Sequence, residues 1–176
     1  MTCLHIRDST STFGVGYDGL RFDNNLSVTR YGRPASHHVI ADGGVLPDKK
    51  RVQVRNNIFV TDSSNYYSYQ QKGSALDPSW SHEYNLLWNP KNNPFKVDRT
   101  AGTGEIYAKP GFADSTWNAS SVVDTVLAKY ALGAGSPAVG SGTRLGYATD
   151  FHGNPADRSG VVDRGRDHLH AARGRG

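Results

Sequence analysis

One cysteine, Cys3, and one methionine occur in the 176 residues. A lone cysteine excludes an internal disulfide framework and leaves the redox compartment open. Hydrophobic residues make up 36% of the chain, against roughly 45–50% in ordinary globular domains when glycine is counted too. No apolar run reaches the roughly eighteen residues that a membrane-spanning helix needs. The opening stretch MTCLHIRDSTSTFG also lacks the apolar core of a signal peptide. The expectation is therefore a cytosolic protein, or one whose leader and further N-terminal residues lie outside this sequence. Long amphipathic helices are missing. The best helical pattern is SSVVDTVLAKYAL (120–132), where Val122, Val126, Leu127 and Tyr130 fit the spacing and Ser120 or Ser121 could cap it. GVGYDG (14–19) and GSGTRLG (140–146) lack the lysine–serine ending of a phosphate loop, so they read as turns.

Turn-forming residues are plentiful. Twenty glycines, with many Asn, Ser and Asp, predict short strands joined by frequent turns in one domain large enough to bury a core. Within that background one pattern recurs. GLRFDNNLSV (19–28), RVQVRNNIFV (51–60) and HEYNLLWN (82–89) each run strand, asparagine, apolar strand. Asparagine is depleted from strand interiors but tolerates left-handed backbone, so it marks a corner between two strands. Asn25, Asn57 and Asn85 lie 32 and 28 residues apart, a near-constant period that points to a solenoid. Three strands per repeat predict a parallel β-helix. Left-handed asparagines stacked about 4.8 Å apart would pass their amides along the axis and satisfy buried polar groups.

The other strands fit between the corners, HHVIADGG (37–44) after the first and NYYSYQQ (65–71) after the second. Leu20 and Phe22 alternate with Arg21 and Asp23, and Val52 and Val54 with Arg51, Gln53 and Arg55. This predicts one face packed inside and one facing solvent. KNNPFKVDRTAGTG (91–104) reads as a loop and GEIYAKPGF (104–112) as an irregular segment.

The phrases AKPGFAD (108–114), YALGAGSPAVGSGT (130–143) and TDFHGNPADRSGVVDRG (149–165), taken with the asparagine corners, carry a resemblance. In that order they are similar to the C-terminal portion of right-handed parallel β-helix proteins of the pectate-lyase-like superfamily, over about Gly19 to Asp163. The resemblance implies an all-β fold, a short right-handed parallel β-helix or solenoid with an irregular C-terminal cap and one short helix. Residues 1–18 would be an N-terminal cap or truncated coil, 19–165 the β-helix with its closing segment, and 166–176 a basic tail. The chain departs from the family in ending ARGRG and in the small number of coils before its closing segment. It reads as a truncated or very short member.

The family relation further implies an extracellular protein that acts on acidic, uronide-containing polysaccharide, most simply as a lyase by β-elimination. That reaction needs a base for the C5 proton, a cation or donor at the carboxylate and a proton donor for the leaving oxygen. The resemblance directs attention to the strands that follow each long loop. His38 is the candidate base, with a plain surface histidine as the alternative, and Tyr67 the candidate proton donor, or simply a tyrosine stacked on its coil. Arg51 is the third catalytic candidate. Arg55 shares its outward face and could grip a carboxylate through two parallel bonds, or both could be a solvated polar face. Lys50, with Lys49, adds positive charge. Tyr69 and Trp80 are candidate sugar contacts, while Trp88 is expected to pack inside.

A non-catalytic carbohydrate-binding or structural β-helix is the rival reading, resting on Tyr66, Tyr67, Tyr69 and Trp80. A glycoside hydrolase would need two carboxylates at defined separation, from Asp23, Asp42 and Asp62. No metal-ligand motif stands out; Ca²⁺ held by carboxylates is the one cofactor the family relation allows, and His168 with His170 is a weak pair in an irregular tail.

The net charge is +4, with much of the excess in Arg158, Arg164, Arg166, Arg173 and Arg175. The terminal AARGRG is expected to be disordered and solvated. A phosphate contact is the weaker reading, so nucleic acid is not an expected partner, nor is a membrane. Residues 1 to 18 would have to cover the first coil, yet they bring mainly Leu4, Ile6, Phe13 and Val15. Self-association through this end and marginal stability are therefore expected.

Overall fold

The computed structural model describes residues 2–6, 21–29, 36–42, 52–61, 65–71, 80–91, 102–113, 129–149 and 163–164. Ten strands run through them: β1 (Thr2–Ile6), β2 (Arg21–Asp23), β3 (Leu26–Thr29), β4 (Ser36–Asp42), β5 (Val52–Arg55), β6 (Ile58–Thr61), β7 (Asn65–Gln71), β8 (Trp80–Glu83), β9 (Leu86–Trp88) and β10 (Ile106–Tyr107). They form three sheets, ordered β1-β4-β7, β2-β5-β8 and β10-β9-β6-β3. Every strand pair is parallel. The protein is all-β among the described residues, with its strands in parallel sheets. Each strand from β1 to β6 pairs with the strand three later in sequence, so the triplet β2–β3–β4 is repeated as β5–β6–β7.

The corners fix this order, with a division of labour that the sequence does not announce. Left-handed backbone falls on Asn24, Asn56 and Tyr84, at φ 57, 56 and 53°. It does not fall on Asn25, Asn57 and Asn85, the positions expected to adopt it. The chain turns at the first residue of each pair and aims the second inward. Asn57 and Asn85 are completely buried. Asn25 donates from its backbone N (2.8 Å) and Nδ2 (3.1 Å) to Asn57 Oδ1. Asn57 repeats this toward Asn85 Oδ1 at 3.0 and 2.9 Å. Asn85 Nδ2 then donates to Glu105 Oε1 at 3.0 Å. The ladder is thus three amides ending on a carboxylate, and every rung satisfies groups that burial would otherwise leave unpaired.

Apolar rows flank the ladder. Phe22, Val54 and His82 occupy one register row across β2, β5 and β8, and the Phe22 ring stacks on Phe59 at 6.2 Å. In the sheet of β3, β6, β9 and β10, a second row aligns Leu26, Ile58, Leu86 and Ile106. This row packs with Val60 and Trp88 against Phe112, Leu132 and Ala138. Side chains alternate faces along a strand, yet Ile58 and Phe59 are both buried, as are Leu86 and Leu87. Both faces of β6 and β9 are packed because the closing segment covers the second face. Trp88 joins that packing but is only half-buried.

The closing segment is tied down by its small residues and by two polar clasps. Gly111 has φ +66°, and a Cβ there would meet Ser136 at 3.2 Å. The Ser136 hydroxyl donates to the Pro110 carbonyl, and Phe112 bridges Leu132. Residues 131–132 are therefore extended, which ends the expected 120–132 helix early. Lys129 has helical backbone, and positions 120–128 of that expectation lie outside the described residues. Asn56 makes the first clasp, donating from Nδ2 to Thr143 O (2.6 Å) and accepting from Thr143 N (2.8 Å). Arg164 makes the second, donating to Ser141 O and, at 2.7 Å, to Asn85 O. Arg164, counted above in the positive excess, is 2% exposed, and that burial lowers its pKa from the ordinary arginine value.

The segment expected to be irregular, 104–112, begins with β10 and so supplies a fourth strand to its sheet. Among the described residues no helix is long and apolar enough to cross a membrane.

Candidate functional site

The register places two of the candidate residues side by side. In the β4–β7 pair, His38 is the direct partner of Tyr67, and Ile40 that of Tyr69. With a two-residue period, positions 38, 67 and 69 share one face of that sheet, while His37 and Tyr66 share the other. Trp80 opens β8 opposite Val52 of β5, in a different sheet. Arg51, Lys50, Lys49, Asp62, His168 and His170 lie outside the described residues. Asp42 ends β4 opposite Gln71.

Arg55 is already held. Its Nε and Nη2 donate to Asp23 Oδ1 (3.1 Å) and Oδ2 (2.8 Å), a two-pronged bond between register partners on β2 and β5. The Asp23 side chain is only 2% exposed, and its hydrogen bonding raises the Arg55 pKa above the usual arginine value. Tyr147 adds a third contact, its hydroxyl donating to Asp23 Oδ2 at 2.9 Å. Partial burial, then that hydrogen bond, pushes the Tyr147 phenol up. Asp23, one carboxylate of the hydrolase alternative, is consequently engaged on both oxygens.

Sequence reasoning missed the group at the end of the ladder. Glu105 accepts from Asn85 Nδ2 on Oε1 and from Gly102 N on Oε2 (2.9 Å). His82 Nδ1 lies 3.1 Å from Oε1. Two glycines make room for the turn that carries this carboxylate. A Cβ on Gly102 would sit 1.6 Å from the His82 carbonyl oxygen, and Gly104, at φ +65°, lies under the Tyr84 ring. A signal existed: Glu105-Ile106 repeats the polar–apolar step of Asn25-Leu26, Asn57-Ile58 and Asn85-Leu86.

Calcium finds no cradle in these groups. Among the described residues no set of three or more His, Cys, Asp or Glu could hold a metal ion, and the Asp23 and Glu105 oxygens already accept from protein donors. Comparison with protein-family models, with curated proteins and with solved structures gave no match.

Proposed function

We propose that the chain is a short right-handed parallel β-helix that acts outside the cell on acidic, uronide-containing polysaccharide as a β-eliminating lyase. The solenoid reading is supported by the pairing of strands three apart and by the asparagine ladder. The functional reading rests on one observation, the pairing of positions 38 and 67 across β4 and β7. Neighbouring strands lie about 4.8 Å apart, so a base and an acid at matching positions can flank a single glycosidic bond.

In this reading His38 takes the C5 proton of the uronide. The freed electron pair forms the C4–C5 double bond, the bond from C4 to oxygen breaks, and Tyr67 protonates the departing oxygen. His38 releases the C5 proton to solvent, and the Tyr67 phenolate takes one back from it. Arg51, just ahead of β5, neutralises the adjacent carboxylate, since Arg55 is held by Asp23. Lys50 adds positive charge near it, and Tyr69 and Trp80 offer flat surfaces to the flanking sugars.

A screen of uronide polymers tests this through the ultraviolet absorbance of the unsaturated product. His38→Ala and Tyr67→Phe should each abolish turnover while polymer binding persists. Binding without new absorbance or reducing ends would replace the lyase with a non-catalytic carbohydrate-binding surface built on Tyr67 and Tyr69. Reducing ends without absorbance would mean hydrolysis.

A further inference from the structure

The outer face of the β2–β5–β8 sheet carries groups that the proposed elimination does not use. Phe22 turns inward onto Phe59, and Val54 is completely buried. Alternation along the strands and the register therefore put positions 21, 23, 53, 55, 81 and 83 on the opposite face. They fall into two rows, Arg21–Gln53–Ser81 and Asp23–Arg55–Glu83. The second row is committed. Arg55 holds Asp23 through two bonds, and Glu83 acts on Arg55 by its charge. The first row is not. Among the described residues the Gln53 and Ser81 side chains have no hydrogen-bond partner, and no carboxylate pairs with the exposed Arg21.

Tyr147 joins the two rows at the first repeat. Its hydroxyl donates to Asp23 Oδ2 at 2.9 Å, and its oxygen takes a hydrogen bond from Arg21. The ring itself is 41% exposed. The closing segment delivers it there, four residues after the Thr143 clasp on Asn56. An exposed ring fixed at its tip by two partners is a rigid platform. Beside it stand a guanidinium, an amide and a hydroxyl, stepped about 4.8 Å apart from strand to strand.

We infer that this face is a second glycan site, on a different sheet from positions 38 and 67. A uronide sits on Tyr147 and Arg21, and a neutral sugar follows over Gln53 and Ser81. The C–H face of the sugar ring covers the aromatic ring. Arg21 meets the carboxylate with the N–H groups that Tyr147 does not use. Gln53 and Ser81 exchange hydrogen bonds with the hydroxyls of the next unit. Glu83 decides what that unit is. It shares the outer face of β8 with Ser81, so a second carboxylate there meets like charge. The favoured ligand therefore alternates acidic and neutral units, and a polymer charged at every unit fits less well.

This inference rests on the acidic-polysaccharide reading, and the test separates the two. The full chain is titrated with two hexasaccharides, one alternating uronide and neutral sugar and one entirely uronide. NMR follows the Gln53 side-chain amide and the Tyr147 ring, and the absorbance of unsaturated product is recorded in parallel. The alternating ligand should shift both signals and bind about tenfold more tightly than the other. Arg21→Gln should weaken it by about tenfold, and Glu83→Gln should erase the difference between the two ligands. Gln53→Ala, which breaks no described bond, should weaken binding without lowering the Tm. Wild-type affinity in both Arg21→Gln and Gln53→Ala would overturn the proposal, as would equal binding of an all-neutral hexasaccharide. Product without shifts at Gln53 and Tyr147 refutes this site and leaves the lyase standing. Shifts without product remove the lyase and leave this site standing, and neither shifts nor product refutes both.

Discussion

Replacing Asn57 with alanine removes the middle of the ladder and should cost far more than the same change at Asn25. The Asn57 side chain accepts from Asn25 N and Nδ2 and donates to Phe22 O and Asn85 Oδ1. After truncation, Asn85 Oδ1 keeps the Asn57 backbone donor, and Asn25 Nδ2 keeps Asp23 O. The Asn25 N–H and the Phe22 carbonyl lose their side-chain partner. At about 1–3 kcal/mol for each buried group left unpaired, the loss is roughly 2–6 kcal/mol, before the void is considered. That is a large share of the ~5–15 kcal/mol that holds a typical domain together. In Asn25→Ala only Nδ2 is lost, from a half-buried residue, while Asn57 Oδ1 keeps the Asn25 backbone donor; about 1 kcal/mol is expected. Urea unfolding followed by tryptophan fluorescence measures both. Equal losses in the two variants, or a loss below about 1 kcal/mol for Asn57→Ala, would refute the claim that the ladder sustains the stack.

Gly102→Ala should destabilise by on the order of 3 kcal/mol or more, because its Cβ meets the His82 carbonyl, whereas Gly135→Ala, with nothing within 4 Å, should stay within about 0.5 kcal/mol; thermal melts compare the two. Arg164→Met removes the side-chain donor from the Ser141 carbonyl, while the Asn85 carbonyl keeps the Ile106 N–H, and should cost about 1–3 kcal/mol, with faster hydrogen exchange over residues 138–143. The raised phenol of Tyr147 stabilises the fold fully below the ordinary tyrosine value of 10.0 and loses that contribution as pH climbs through the higher folded value. Urea midpoints across this alkaline range should therefore fall less steeply in Tyr147→Phe than in the wild type.

Much of the strand order is legible in the sequence because the asparagine period is set by backbone geometry. The strand expected at 65–71 is β7 itself, and the runs around VQV and IFV are β5 and β6. The exchange of roles within each corner is not legible. Asn24 and Asn25 have the same side chain, and Tyr84 takes left-handed backbone that a bulky residue seldom adopts. The place where the closing segment packs escaped for a different reason. Continuous apolar runs such as Ile58-Phe59-Val60 and Leu86-Leu87-Trp88 indicate strands covered on both faces, but they do not name what covers them. The role of Arg164 was hidden too, since counting an arginine toward the net charge does not show that it donates to two carbonyls. For the candidate site, His38 and Tyr67 are singled out on the strands to which the family resemblance points. Their adjacency depends on a register set elsewhere, at the corners.

Glu105 also limits how this architecture can grow. An asparagine rung receives on one side and gives on the other, so it can be copied indefinitely. A carboxylate rung only receives. With its two oxygens on Asn85 and Gly102, Glu105 works as a terminator, and a repeat added beyond it would find no donor to inherit. Lengthening by duplication is therefore possible only upstream of residue 105, and a tandem copy of 52–79 placed there would keep every rung in sequence. The count of repeats in such a protein is written at one end, by the choice of a carboxylate where an amide would have let the series continue.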